Sequence, residues 1–238
     1  MIFELDRLAA SLTFDRAAQI ADLFGARADR GYNVAEEVYP GYPGIVVREH
    51  EGARVVQSMT WGFPVRLKGM KPTSKPKPVN NARDDKLLSP FWKYWFSTPT
   101  HRCLIPFTAF AEAEGPKGKM TRTWISVEDQ PTAAWAGLWR PSDEWGNCYT
   151  GVMVDATEEL FDIHDRMPVN LHPDEHDAWL DCPAKMQSHW CANIRRAGLS
   201  SIALTNAGSS PGRNNQRGRR FSEPCGRSAP FRGTLAFW

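Results

Sequence analysis

The sequence has no apolar run approaching the roughly 20 residues that a membrane-spanning helix needs. Glu4 and Asp6 stand where a secretory leader would be apolar. The expectation is a cytoplasmic protein with no membrane partner. Cysteine is scarce and odd in number: Cys103, Cys148, Cys182, Cys191 and Cys225 are widely spaced. That spacing excludes a small disulfide framework and fits free thiols in a reducing compartment. No sign of charge dominates, since the formal net charge is only +2, so a case for a nucleic-acid partner rests on where the cations lie. The close-knit ligand quartet of a zinc site is also missing. His101 with Cys103 and His189 with Cys191 offer two ligands each, nothing joins the pairs, and neither metal nor cofactor is expected.

What is present is enough apolar material for one substantial core: 238 residues, 42% of them hydrophobic. Ala17, Ile20, Ala21 and Phe24 recur at helical spacing before Gly25, which predicts a short amphipathic helix over Phe14–Phe24. Residues 31–44 read as loop. The β-branched runs Gly44–Arg48 and Arg54–Thr60 flank Glu49–Gly52 as an antiparallel hairpin would. Arg102–Pro106, Thr123–Val127, Ala133–Trp139 and Tyr149–Val154 read as strands. Ser89-Pro90 predicts a helix to about Phe96 with Phe91, Trp92, Trp95 and Phe96 towards the core. Thr157 caps a helical turn, and Pro173–Leu180 reads as a last helix.

Two segments concentrate cations. Pro64–Val79 carries Arg66, Lys68, Lys71, Lys75 and Lys77 among prolines with no acid, which predicts an exposed, mobile loop suited to phosphates or simply to water. Beyond about Thr205, glycine, serine and six arginines meet a single acid, Glu223, the composition of a disordered basic tail. The expected organisation is one domain over residues 1–190 and a tail over 205–238.

Asn80-Asn81-Ala82-Arg83 closes the basic loop, Glu112 follows the strand-like Arg102–Pro106, and His164 sits beside Asp165 and Arg166. Taken alone, Glu112 is more readily a surface carboxylate than a catalyst. His164 places a group that titrates near neutrality beside a guanidinium able to hold phosphate. A thiol protease pairing Cys103 or Cys148 with His164 is disfavoured, because both cysteines fall within strands rather than at a helix start.

In order, the chain carries Tyr32-Asn33-Val34-Ala35, Trp61-Gly62-Phe63, Asn81-Ala82-Arg83, Arg102-Cys103-Leu104-Ile105-Pro106 with Phe110 and Glu112, Ala136-Gly137-Leu138-Trp139, and Ile163-His164-Asp165-Arg166-Met167-Pro168. Together these resemble the SOS-response-associated peptidase (SRAP) family over roughly Gly31 to Leu180. The resemblance implies an α+β fold, a single domain with an antiparallel, barrel-like sheet core and flanking short helices. It also implies a monomeric DNA-damage protein that binds single-stranded DNA at abasic sites and crosslinks to them. In the family a cysteine at position two does this. Its α-amine condenses with the ring-opened sugar, and its thiol closes a thiazolidine.

On that resemblance Glu112 moves protons, His164 stabilises the opened sugar, and Asn81 orients the amine. Arg83 and Arg166, with Lys68 and Lys71 of the basic loop, would hold phosphates, and Trp61 would either support a base or sit in the core. The chain departs from the family at Ile2, where cysteine is expected, and no thiol precedes Cys103. A thiazolidine therefore cannot form from this N-terminus. An imine from the Met1 amine, with lyase character, is one expectation, and a non-catalytic single-stranded DNA binder is the alternative. The family name adds hydrolase or protease activity as a further expectation.

Overall fold

A computed structural model describes residues 2–4, 13–28, 35–71, 73–114, 121–128, 130–182 and 202–207. Its first half runs β1 (Ile2–Glu4), α1 (Thr13–Leu23), β2 (Glu37–Val38), β3 (Pro43–His50), β4 (Ala53–Trp61), β5 (Phe63–Val65), β6 (Lys77–Val79), β7 (Asn81–Arg83) and α2 (Lys93–Ser97). The second continues with β8 (Arg102–Phe107), β9 (Ala109–Glu114), β10 (Thr121–Val127), β11 (Ala133–Arg140), β12 (Cys148–Asp155), α3 (Glu158–Phe161), β13 (Arg166–Pro168), β14 (Asn170–Leu171), α4 (His176–Asp181) and β15 (Ile202–Ala207).

The main sheet closes on itself. β12 pairs with β4, β4 with β3, β3 with β8, β8 with β11, and β11 returns to β12. Only the β12–β4 contact within this ring is parallel. The result is the expected α+β, barrel-like architecture. Apolar side chains fill it because strands such as Ala133–Leu138 and Cys148–Val154 are buried along their length. Trp61, Trp135 and Tyr149 form its aromatic centre. Trp61 stacks on Tyr149 at 6.4 Å and meets Trp135 edge-on at 6.1 Å, and the indole N–H groups donate to Asn80 O and Val152 O. A second sheet runs β15-β10-β9-β1-β2.

The predicted hairpin is β3–β4, with His50 opposite Ala53. Its two-residue turn places Glu51 at φ +52° and Gly52 at φ +78°, the left-handed pair that matches strand twist. The predicted first helix is α1, which buries Ala17, Ile20, Ala21 and Phe24. Gly25 follows at φ +58°, where a side chain would be strained.

Three expectations change. The basic loop of residues 64–79 is zipped at its base, with Phe63 opposite Val79, Pro64 opposite Pro78 and Val65 opposite Lys77. Two facing prolines fit that ladder because a non-hydrogen-bonded pair asks neither for an N–H. The regular helix expected over 90–96 is confined to Lys93–Ser97, and Phe91 is 42% exposed while Trp92 and Phe96 are buried. The two buried rings are four residues apart on one face, so Phe91 falls on another. Finally, Ile202–Ala207 pairs along β10 from Val127 to Arg122, so the sheet extends past the boundary expected at residue 190. Residues 208–238 of the expected tail, and Tyr32 to Val34 of the first motif, lie outside the described residues.

Candidate acid–imidazole site and nucleic-acid interface

β9 supplies the carboxyl. Glu112 is only 6% exposed. Desolvation pushes its carboxyl above the usual range, while the charges of the N-terminal amine and of His164 pull it down and Asp165 pushes it up. Antiparallel pairing places Ile2 of β1 opposite Ala111, the residue beside Glu112. On the other side Thr123 of β10 stands opposite Glu112, and it too is buried. A carboxyl held in this setting retains its proton to higher pH than a surface glutamate, as a general acid requires.

His164 lies in the turn leading to β13 and is exposed. Its Nδ1 sits 3.0 Å from both the amide N and the carbonyl O of Arg166. The neutral ring accepts from that N–H, and the ring protonated at Nδ1 donates to the carbonyl. Asp165 Oδ1 is 3.5 Å from the same nitrogen.

Asn81 opens β7, which runs parallel to β12 with Asn81 opposite Gly151 and Arg83 opposite Met153. Its Oδ1 is buried without a hydrogen-bond partner among the described residues, so it can still accept from an incoming N–H or O–H. Gly151 packs directly against the Trp135 ring. A Cβ there would lie 1.8 Å from Trp135 Cζ2.

The cations divide into two sets. Arg83 forms a forked pair with Asp85, at 2.9 and 3.1 Å, and its guanidinium holds that carboxyl below the usual range. Arg166 reaches Asp84 Oδ1 at 2.9 Å and Asp155 Oδ1 at 3.1 Å. Arg66 pairs with Glu144 at 2.8 Å. Lys68, Lys71, Lys75 and Lys77 are exposed along the β5–β6 hairpin.

Of the two readings of Trp61, the core one describes this structure. Trp61 is 0% exposed, and with Tyr149 and Trp135 packed against it no face is open to a base. Cys103, Cys148 and Cys182 are free and buried, and burial pushes the Cys103 and Cys148 thiols up, the opposite of an activated nucleophile. His101 Nδ1 faces Trp139 O at 3.1 Å. Among the described residues no group of three or more His, Cys, Asp and Glu could hold a metal, and the pair His189 and Cys191 lies outside them. No helix among the described residues is long and apolar enough to cross a membrane. Sequence reasoning missed Asp84 and Thr123. Both matter through pairing with distant residues, which no local signal reveals.

Fold and site define a barrel-like α+β protein with a buried carboxyl under the influence of an imidazole. The chain belongs to the SOS response associated peptidase (SRAP) family, whose model matches residues 7–206. That membership associates it with the response to DNA damage. Solved structures share the fold. One is a protein from Bordetella bronchiseptica, 21% identical with a TM-score of 0.64 over 86% of this chain and 98% of that one. Another, from Bacteroides thetaiotaomicron, is 18% identical with a TM-score of 0.64 over 80% and 89%. A third, a phage-related protein from Bordetella bronchiseptica, is 22% identical with a TM-score of 0.59 over 84% and 92%. No curated protein matches in sequence.

Proposed function

We propose that this protein binds single-stranded DNA at abasic sites and acts on the ring-opened sugar through Glu112, His164 and Asn81. The observation that carries the reading is Glu112, a buried carboxyl with its proton affinity raised, under the charge of both His164 and the N-terminal amine. An amine attacking the C1 aldehyde of the opened sugar gives a carbinolamine. Protonated Glu112 donates to the departing hydroxyl, water leaves, and an imine remains. Asn81 Oδ1 accepts from the attacking amine, and His164 hydrogen-bonds the freed sugar hydroxyl. Arg83, Lys68 and Lys71 attract the flanking phosphates without reading sequence.

With Met1-Ile2 as the N-terminus, where the resemblance implies cysteine, an adduct through the Met1 amine has no adjacent thiol to close a thiazolidine. The product stops at an imine, which hydrolysis reverses or β-elimination of the 3′ phosphate resolves. The test is incubation with single-stranded DNA bearing one abasic site, with and without borohydride, followed by a denaturing gel. An adduct only in the borohydride lane is expected. The same observation at Ile2 favours the second reading, a binder without chemistry, which predicts retention on DNA with no adduct in either lane. Absence of binding would remove both.

A further inference from the structure

Arg48 of β3 is a cation only 8% exposed, and among the described residues no carboxylate pairs with it. Its Nε donates to Gln57 Oε1 at 2.8 Å and its Nη1 to the carbonyl of Glu49 at 3.1 Å, and both acceptors are neutral. The carboxylate of Glu49, next along the strand, is turned to Arg54 at 3.2 Å. The guanidinium carbon lies 4.4 Å from the centre of the Trp139 ring, a contact that attracts the cation without cancelling its charge. Nη2 has no partner among the described residues and is not closed off from solvent. A guanidinium withdrawn from water without a counter-charge is costly, so an anion reaching Nη2 gains more there than at a surface arginine.

Aromatic rings continue outward from Trp139. The His101 ring lies 5.2 Å from it, and Trp95 and Tyr94 lie 4.8 and 5.5 Å from His101. Trp139, His101 and Trp95 are half-buried and Tyr94 is exposed, so a ledge of rings runs from the guanidinium to the surface. His101 Nδ1 faces a carbonyl, which only accepts, so that nitrogen carries the proton and Nε2 does not. Burial holds the proton affinity of the ring down, and Arg48 is the only charge among the described residues that lowers it further. The imidazole is therefore neutral at about pH 7. Neither Arg48 nor His101 is among the groups that act on Glu112, which sets this cluster apart from the acid–imidazole site.

We propose that Arg48, Trp139 and His101 form a binding site for a monocarboxylate with an aromatic body, its carboxylate on Arg48 Nη2 and its ring along the Trp139–Tyr94 ledge. One guanidinium beside a neutral imidazole matches a single negative charge, which suits a carboxylate better than a phosphate dianion. Flat apolar walls with one convergent charged group are the usual lining of a small-molecule site. A phosphodiester shares the single charge, and the experiment separates the two. The site stands independently of the DNA-binding reading.

The test follows the Arg48 Nε–H and Trp139 indole N–H signals of the full-length protein by proton–nitrogen NMR at about pH 7. The protein is titrated with sodium benzoate, sodium acetate, inorganic phosphate and oligothymidine, with sodium chloride at matched ionic strength as the baseline. Benzoate is expected to move both signals saturably, and acetate to bind about tenfold more weakly because it brings no ring. In Arg48→Met, which keeps an apolar stem in the core, the benzoate response at Trp139 is lost. Arg48→Lys, which keeps the charge without the fork, weakens it. Absence of a saturable benzoate shift overturns the proposal, and so does an undiminished Trp139 response in Arg48→Met. A response to phosphate or oligothymidine stronger than that to benzoate also overturns it, because the site then takes phosphate. If neither variant folds, the four titrations of the unaltered protein still decide.

Discussion

Thr123 stands directly opposite Glu112 across the β9–β10 ladder, and both are closed off from solvent. Directly opposed residues of antiparallel strands project to the same side. The acid is thus walled by a neighbouring strand on one flank and by β1 on the other, which keeps bulk water from stabilising its charge.

That burial has a sign. Desolvation raises the Glu112 carboxyl, so the folded protein holds its proton more tightly than the unfolded chain. Below about pH 4, the ordinary glutamate value, the group is protonated in both states and costs nothing. As pH rises, the unfolded chain ionises first, and stability falls until the folded carboxyl has also titrated. Glu112→Gln is therefore expected to raise the melting temperature at neutral pH while leaving it unchanged near pH 3.5. Each tenfold change in the acid constant corresponds to about 1.4 kcal/mol. The same variant should lose the borohydride-trapped adduct. Thermal melts across pH, run beside the trapping gel, check both.

Lys68 and Lys71 lie exposed on the hairpin closed by Phe63 and Val79, and they are expected to meet phosphates. Replacing both with alanine removes two counterion-releasing contacts. The slope of log Kd against log salt on oligothymidine should fall by about 1.4, with thermal stability unchanged because surface substitutions of this kind cost little. An unaltered slope would assign the binding charge elsewhere on the surface.

The long apolar strands were legible because pattern and burial coincide. β3, β4, β8, β11 and β12 are β-branched or continuously apolar, and closure of the ring buries them on most sides. β7 was not legible. Asn81-Ala82-Arg83 has one apolar residue and no alternation, and it is a strand only because β12 offers it an edge. Glu112 could be named from the family resemblance, but its burial depends on β1 and β10, which neighbour it in space only. Arg166 was named from its motif as a phosphate-holding guanidinium, and its pairing with Asp84, 82 residues away in sequence, lies beyond any local pattern. Aromatic residues near motifs carried a matching ambiguity, since Trp61 in the core and Trp61 beneath a base share one sequence.

Gly151 links the barrel to the site. It faces Gly137 of β11 and Asn81 of β7, and any Cβ there collides with the Trp135 ring. Trp135 cannot swing aside freely, because it is 0% exposed and its indole N–H is bonded to Val152 O at 2.6 Å. Gly151→Ala is expected to destabilise the fold by about 2–3 kcal/mol, as overpacking in a filled core does. It should also weaken DNA binding by displacing β7. Chemical denaturation gives the first quantity. A variant as stable as the parent would show that the ring can relax around the added methyl.

His176 supplies an acid-side limit to stability that is independent of the site. It begins α4, is buried, and stacks on Phe24 of α1 at 5.3 Å with ring planes 19° apart. Its Nε2 is buried without a hydrogen-bond partner among the described residues. Burial depresses its proton affinity, and Arg54 and His172 add to the effect, while a hydrogen bond to the Leu171 backbone and the Asp177 charge oppose it. Above about pH 6.5, the ordinary histidine value, the ring is neutral in both states and the contact is fully favourable. As pH falls through that value the unfolded chain gains a proton that the folded chain resists, so stability declines until the depressed folded value is passed. Replacing the ring with one that cannot titrate removes the slope. His176→Phe should keep the stack on Phe24 and flatten the fall in urea midpoint between about pH 7 and about pH 5. If the decline persists unchanged in that variant, the acid sensitivity belongs to other groups and the α1–α4 contact plays no part in it.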